Sequence, residues 1–193
     1  MSTTNTDMQN TTKTQSSWVR ILFYSTCDTS WGSLGHIINN TVTSWDGPYC
    51  HVEMEFPNGQ SVSIRMGNTV AMLNRSFDPA FYKGLIIESE VNKVNTAIKL
   101  ANDTSQRQVK FGLMSGQGLH KNTTYCSKLV RDILIESEIV SPCFCDDYRF
   151  LLTPSAVFRA LLEQRGVSYY TPNLGVQPIS FMLVQTPDPD NAN

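Results

Sequence analysis

The sequence predicts an α+β domain with a central antiparallel sheet, and three observations carry that prediction. His51-Val52-Glu53-Met54-Glu55-Phe56 and Ser61-Val62-Ser63-Ile64-Arg65 alternate with period two around Pro57-Asn58-Gly59, which is the pattern of a β-hairpin. Gly84 to Ser89 is a strand-sized apolar run, followed by Val91, Val94, Ala97, Ile98 and Ala101 at helical spacing. Thr123 to Leu134 opens with threonines able to cap a helix and continues with Leu129, Val130 and Ile133 on one face.

The remaining elements follow in order. Trp18 to Tyr24 is rich in β-branched and aromatic residues and reads as a buried strand, with a loop from Cys27 to Ser33 and a short helix from Leu34 to about Thr43. Gly112 to Asn122 holds three glycines and reads as a loop that delivers the chain to the Cys126 helix and can serve as a flap. Thr153-Pro154-Ser155 opens a further helix through Leu162, and Ile179 to Val184 is a candidate last strand. Residues 1–17 are Thr, Asn, Gln and Ser with little to bury and are expected to be a disordered arm; residues 187–193 have the same character. The folded domain is thus placed at 18–186.

Composition narrows the function. The 193 residues are 40% hydrophobic, enough for one core, and a net charge of −2 offers no basic surface for phosphates, so nucleic acid is not an expected partner. Five irregularly spaced cysteines suit free thiols in a reducing, cytoplasmic compartment, and no run reaches the ~20 apolar residues of a membrane span or forms a leader. The sequons at Asn39, Asn74 and Asn122 are read as chance.

The chemistry centres on Cys126 and His51. A cysteine in the first turn of a helix meets exposed N–H groups and the positive end of the dipole, which favour a thiolate. His51 begins a strand whose same face carries Glu53, Glu55, Ser61 and Ser63. Cys143-Phe144-Cys145 has the wrong spacing for a structural zinc site, and no cofactor is expected. Cys50 points to the opposite strand face and reads as core, Cys27 as inert, and His36 and His120 as surface residues. Glu53 and Glu55 could mimic a glycosidase pair, but exposed strand carboxylates are ordinarily solvated.

Taken together, Ile21-Leu22-Phe23, the Leu34–Thr43 segment, Tyr49-Cys50-His51-Val52-Glu53, Tyr125-Cys126-Ser127-Lys128-Leu129-Val130 and Thr153-Pro154-Ser155 resemble the permuted NlpC-like papain-fold hydrolases, in particular the YiiX/YebB-like group with its bacterial and poxviral members. The order, histidine first and cysteine later, is the permuted one. The resemblance implies a papain-like core, Cys126 as nucleophile, His51 as base, and cleavage of an amide, ester or thioester bond in a protein, peptide or acyl-bearing substrate. It also implies a polar orienter on the next strand, where this chain has Ser63 in place of the usual His, Glu, Gln or Asn; either Ser63 suffices, or Glu53 substitutes from the strand face of His51, or the dyad works unaided. The Cys126 N–H is an expected oxyanion donor, Tyr24 a candidate second donor, and Tyr125 a neighbouring substrate-side residue. Two alternatives stay open: an acyltransferase acting on lipid, as in the related lecithin:retinol acyltransferase, and a catalytically silent module that binds a partner protein.

Overall fold

The computed structural model describes residues 16–24, 47–74, 82–113, 122–146, 151–171 and 175–178. Seven strands form one sheet: β1 (Ser16–Tyr24), β2 (His51–Glu55), β3 (Gln60–Ser63), β4 (Ala71–Asn74), β5 (Tyr82–Glu90), β8 (Val167–Thr171) and β9 (Gly175–Pro178). Their spatial order is β4-β3-β2-β1-β5-β8-β9, and every pairing is antiparallel. A separate two-stranded parallel pair joins β6 (Lys110–Phe111) to β7 (Thr123–Thr124). Three helices complete the described chain: α1 (Val91–Gln106), α2 (Cys126–Glu136) and α3 (Pro154–Leu162). The mixed α+β class and the antiparallel sheet are therefore as the sequence predicts.

Period-two alternation decides what each sheet face carries. Val19, Ile21, Phe23, Val52, Met54, Val62, Ile64, Leu85, Ile87, Val167 and Tyr169 point to one face, where they join Val94, Ala97 and Ala101 of α1, Leu129 and Ile133 of α2, and Val157 and Leu161 of α3 in a single core. Helix α1 packs on β1, β4 and β5, while α2 packs on β2 and α3. The hairpin forms as expected: Gly59 takes φ +79° in the turn, and Met54 faces Val62 while Glu55 faces Ser61.

The second face departs from expectation. Leu22 and Glu53 there are 0% exposed, and His51, Glu55, Ser61 and Ser63 are also buried. Glu53 and Glu55 are thus not the solvated strand carboxylates that the sequence suggests. Buried carboxylates need partners, and Glu55 finds Arg20, whose Nη2 lies 2.5 Å from Oε2. Arg20 in turn stacks over Tyr170 at 4.1 Å and Trp18 at 5.6 Å from the ring centroids.

Several boundaries shift. β1 begins at Ser16, so Ser16 and Ser17, assigned to the arm, pair with Glu90 and Ser89 in the sheet. Thr123 and Thr124 do not cap α2; they form β7, and Tyr125 occupies the N-cap position without a side-chain cap bond. β4, β6, β8 and β9 are additional to the strands that the sequence predicts. Helix α3 forms as expected, with Pro154 at its first position and the Thr153 hydroxyl accepting the Ala156 N–H at 3.1 Å. The predicted 34–43 helix, the 179–184 strand, Cys27, His36, His120, most of the glycine-rich loop and nearly all of both tails lie outside the described residues.

Ile133 is fully buried where α2 meets the sheet. Ile133→Ala should lower stability by about 2–5 kcal/mol, read from the urea midpoint at unchanged slope, whereas truncation of the exposed Lys99 should stay within roughly 0.5 kcal/mol.

Candidate active site

Cys126 is the first residue of α2. The first N–H groups of a helix have no intrahelical acceptor, and the dipole adds a partial positive charge there, so the sulfur sits where an anion is favoured. The side chain is partly exposed, while Leu129, Val130 and Ile133 behind it are buried. Further along, Lys128 and Asp132 form a buried i,i+4 ion pair, and Arg131 bridges Asp132 at 3.2 Å to Asp146 at 2.7 Å. Arg131 Nε also donates to the Phe144 carbonyl at 3.0 Å, tying the turns after α2 back onto it.

The antiparallel register brings the second partner into place. Continuing the β2–β3 register puts Glu53 across from Ser63, with His51 two residues before Glu53 on the same strand face and diagonal to Ser63. His51 Nε2 lies 3.1 Å from Glu53 Oε1 and 3.2 Å from Ser63 Oγ. Ser63 donates its hydroxyl to Glu53 Oε1 at 2.7 Å, and Ser61 donates to Oε2 at 3.5 Å. The two candidate orienters are therefore a unit: Ser63 holds the carboxylate, and both meet the imidazole. The Tyr24 ring lies against His51, with centroids 5.6 Å apart.

His51 also hydrogen-bonds Cys126, whose sulfur further receives the Val52 backbone N–H and approaches the Ser127 hydroxyl at 3.7 Å. Burial is the largest single influence on each group and opposes its charge, pushing the imidazole pKa down and the thiol pKa up. The mutual hydrogen bond and attraction overcome it: Cys126 is lowered below the ordinary thiol value, and His51, aided by Glu53, is raised to about 9. Cys145 shows the contrast, since burial pushes its thiol up to about 12.

Other sequence candidates resolve differently. Tyr125 is buried, and its phenol oxygen accepts the Leu152 N–H at 3.1 Å, which makes it a tether within the fold. Cys50 is buried as expected and donates to the Tyr24 carbonyl at 3.6 Å. Cys143 and Cys145 lie in the turns after α2 and line a cavity of about 420 Å³ with Arg159 and Glu163, which includes neither His51 nor Cys126. Among the described residues no group of three or more His, Cys, Asp or Glu is arranged to hold a metal ion, and no helix is long and apolar enough to cross a membrane. Comparisons with protein-family models, curated proteins and solved structures return no match.

Glu53 favours the imidazolium through its charge, so Glu53→Gln should lower the His51 pKa from about 9 toward the ordinary 6.5. Ser63→Ala should lower it less, because the carboxylate remains; NMR titration of the imidazole reads both shifts.

Proposed function

We propose that this chain is a cysteine-dependent hydrolase with a papain-like, circularly permuted arrangement, in which Cys126 is the nucleophile and His51 the acid–base partner. The observation that carries this reading is the hydrogen-bonded Cys126–His51 pair at a helix N-terminus, backed through Nε2 by the buried Glu53. A lone thiol at a helix start is ordinary. A thiol whose pKa is lowered by an imidazole, itself oriented by a third group, has the composition of an activated nucleophile.

In this reading the thiolate attacks the carbonyl carbon of an amide, ester or thioester, and the carbonyl electron pair moves onto oxygen. The Cys126 N–H, free of any intrahelical acceptor, is suited to donate to that oxyanion, with the Tyr24 hydroxyl as candidate second donor. Collapse of the adduct breaks the bond to the leaving group, which takes the imidazolium proton, leaving a Cys126 thioester. His51, now neutral, deprotonates a water that attacks the thioester; the free thiolate and imidazolium are restored. A second acceptor in place of water would make the same chain an acyltransferase. A reducing compartment suits this chemistry, since the working sulfur must stay unoxidised.

The pH dependence follows from the pair. The thiolate–imidazolium form exists above the lowered Cys126 pKa and disappears as His51 loses its proton near pH 9, so leaving-group protonation should fail on that alkaline side.

Limiting iodoacetamide at about pH 6, where an ordinary thiol is under about 1% ionised, should label Cys126 in preference to Cys143 and Cys145. His51→Ala should slow that labelling by roughly tenfold or more. If peptide mapping shows Cys126 reacting no faster than Cys143 in the wild type, the enzyme reading fails and a partner-binding module takes its place.

A further inference from the structure

We infer that the turn from Leu152 to Ser155 is a clamp that sets the distance between nucleophile and base, making Ser155 and Tyr125 positioning residues; this rests on the dyad proposed above. The turn touches both catalytic limbs one or two residues upstream of the chemistry. The Leu152 N–H donates to the phenol oxygen of Tyr125, the residue immediately before Cys126, at 3.1 Å. Ser155 Oγ accepts the N–H of Tyr49, two residues before His51, also at 3.1 Å. Both bonds are buried, with Ser155 1% exposed, so each ties its limb firmly.

The clamp is itself braced. Thr153 caps α3 through the Ala156 N–H, and Pro154 fixes the first helical φ, so the two residues separating Leu152 from Ser155 sit in one stiff helix start. The chain leading to His51 is shaped to reach it: Gly47 takes φ +137°, and a Cβ there would lie 2.8 Å from Ser155 Oγ, so only glycine permits the approach. Tyr49 completes the seat by packing on Phe158 of α3, with ring centroids 4.7 Å apart. Cys126 and His51 lie 75 positions apart in the sequence, and this turn bonds the segments that deliver both. Catalysis tolerates little misplacement, so a common anchor for the two limbs has a direct chemical consequence.

The test is the pH profile of Cys126 alkylation by iodoacetamide in the full chain, comparing wild type with Ser155→Ala, Tyr125→Phe and Leu161→Ala. The last truncates a core residue of the same helix without touching either bond. Loss of a clamp bond loosens the ion pair, so Ser155→Ala and Tyr125→Phe should each move the acid limb to higher pH and slow labelling near pH 6 by roughly fivefold. Above the ordinary thiol pKa, where any exposed thiol is ionised, their rates should rejoin the wild type. Leu161→Ala should lower the melting temperature and leave the limb in place. Tyr125→Phe removes one oxygen from a ring that stays packed, so the test survives if Ser155→Ala does not fold. An unmoved limb in the folded clamp variants, or an equal shift in Leu161→Ala, would overturn the clamp alone. A wild-type limb at the ordinary thiol value would overturn the dyad, and the clamp with it.

Discussion

The interaction on which the rest depends is the contact of His51 with two acidic groups at once, the Glu53 carboxylate and the Cys126 thiol. Glu53 is fully buried, and a buried carboxylate without compensation costs several kcal/mol. Here it receives the Nε2–H and two serine hydroxyls, and an imidazole raised to about 9 supplies the balancing charge. The register of β2 against β3 is therefore a chemical requirement as well as a packing one. A one-residue slip would turn His51 and Glu53 into the apolar core and Val52 and Met54 outward.

The scaffold serves that contact by keeping competing partners away from it. Tyr125 stands at the N-cap of α2 yet offers no side-chain cap, so the first-turn N–H groups face the sulfur's surroundings without a built-in acceptor from the cap. The helix is held instead by burial of Leu129, Val130 and Ile133 and by the Lys128–Asp132–Arg131–Asp146 network. Glu55, two residues beyond Glu53 on the same face, is taken up by Arg20 and its aromatic stack, which leaves Glu53 as the carboxylate that meets the imidazole. The division of labour between neighbouring carboxylates is set by which cation each one reaches.

Much of this was legible in the chain. Alternation around Pro57-Asn58-Gly59 put His51, Glu53 and Ser63 on one face, and the register keeps them there. The apolar spacing of Leu129, Val130 and Ile133 indicated which side of α2 is buried. Burial of the polar face was not legible, because a strand of alternating polarity ordinarily has one wet side. Thr123 and Thr124 read as caps since the pairing that makes them a strand, with Lys110 and Phe111, is non-local. β8 carried a readable signal in Val167 and Tyr169, which alternate inward, whereas the four half-buried or exposed residues of β4 carried almost none. The Tyr125 tether depends on where Leu152 returns, and spacing along the chain does not reveal it.

The ion pair is tested most directly by its own absorbance. Acid titration of the thiolate band in the far ultraviolet, taken as the difference between wild type and Cys126→Ser, reports the ionisation of this one sulfur. The account predicts a thiolate that persists well below the ordinary thiol pKa of about 8.5 and is quenched only in mild or stronger acid. A difference band that appears only as pH rises through that ordinary value would contradict it, because Cys126 would then be a neutral thiol beside a histidine that does not activate it.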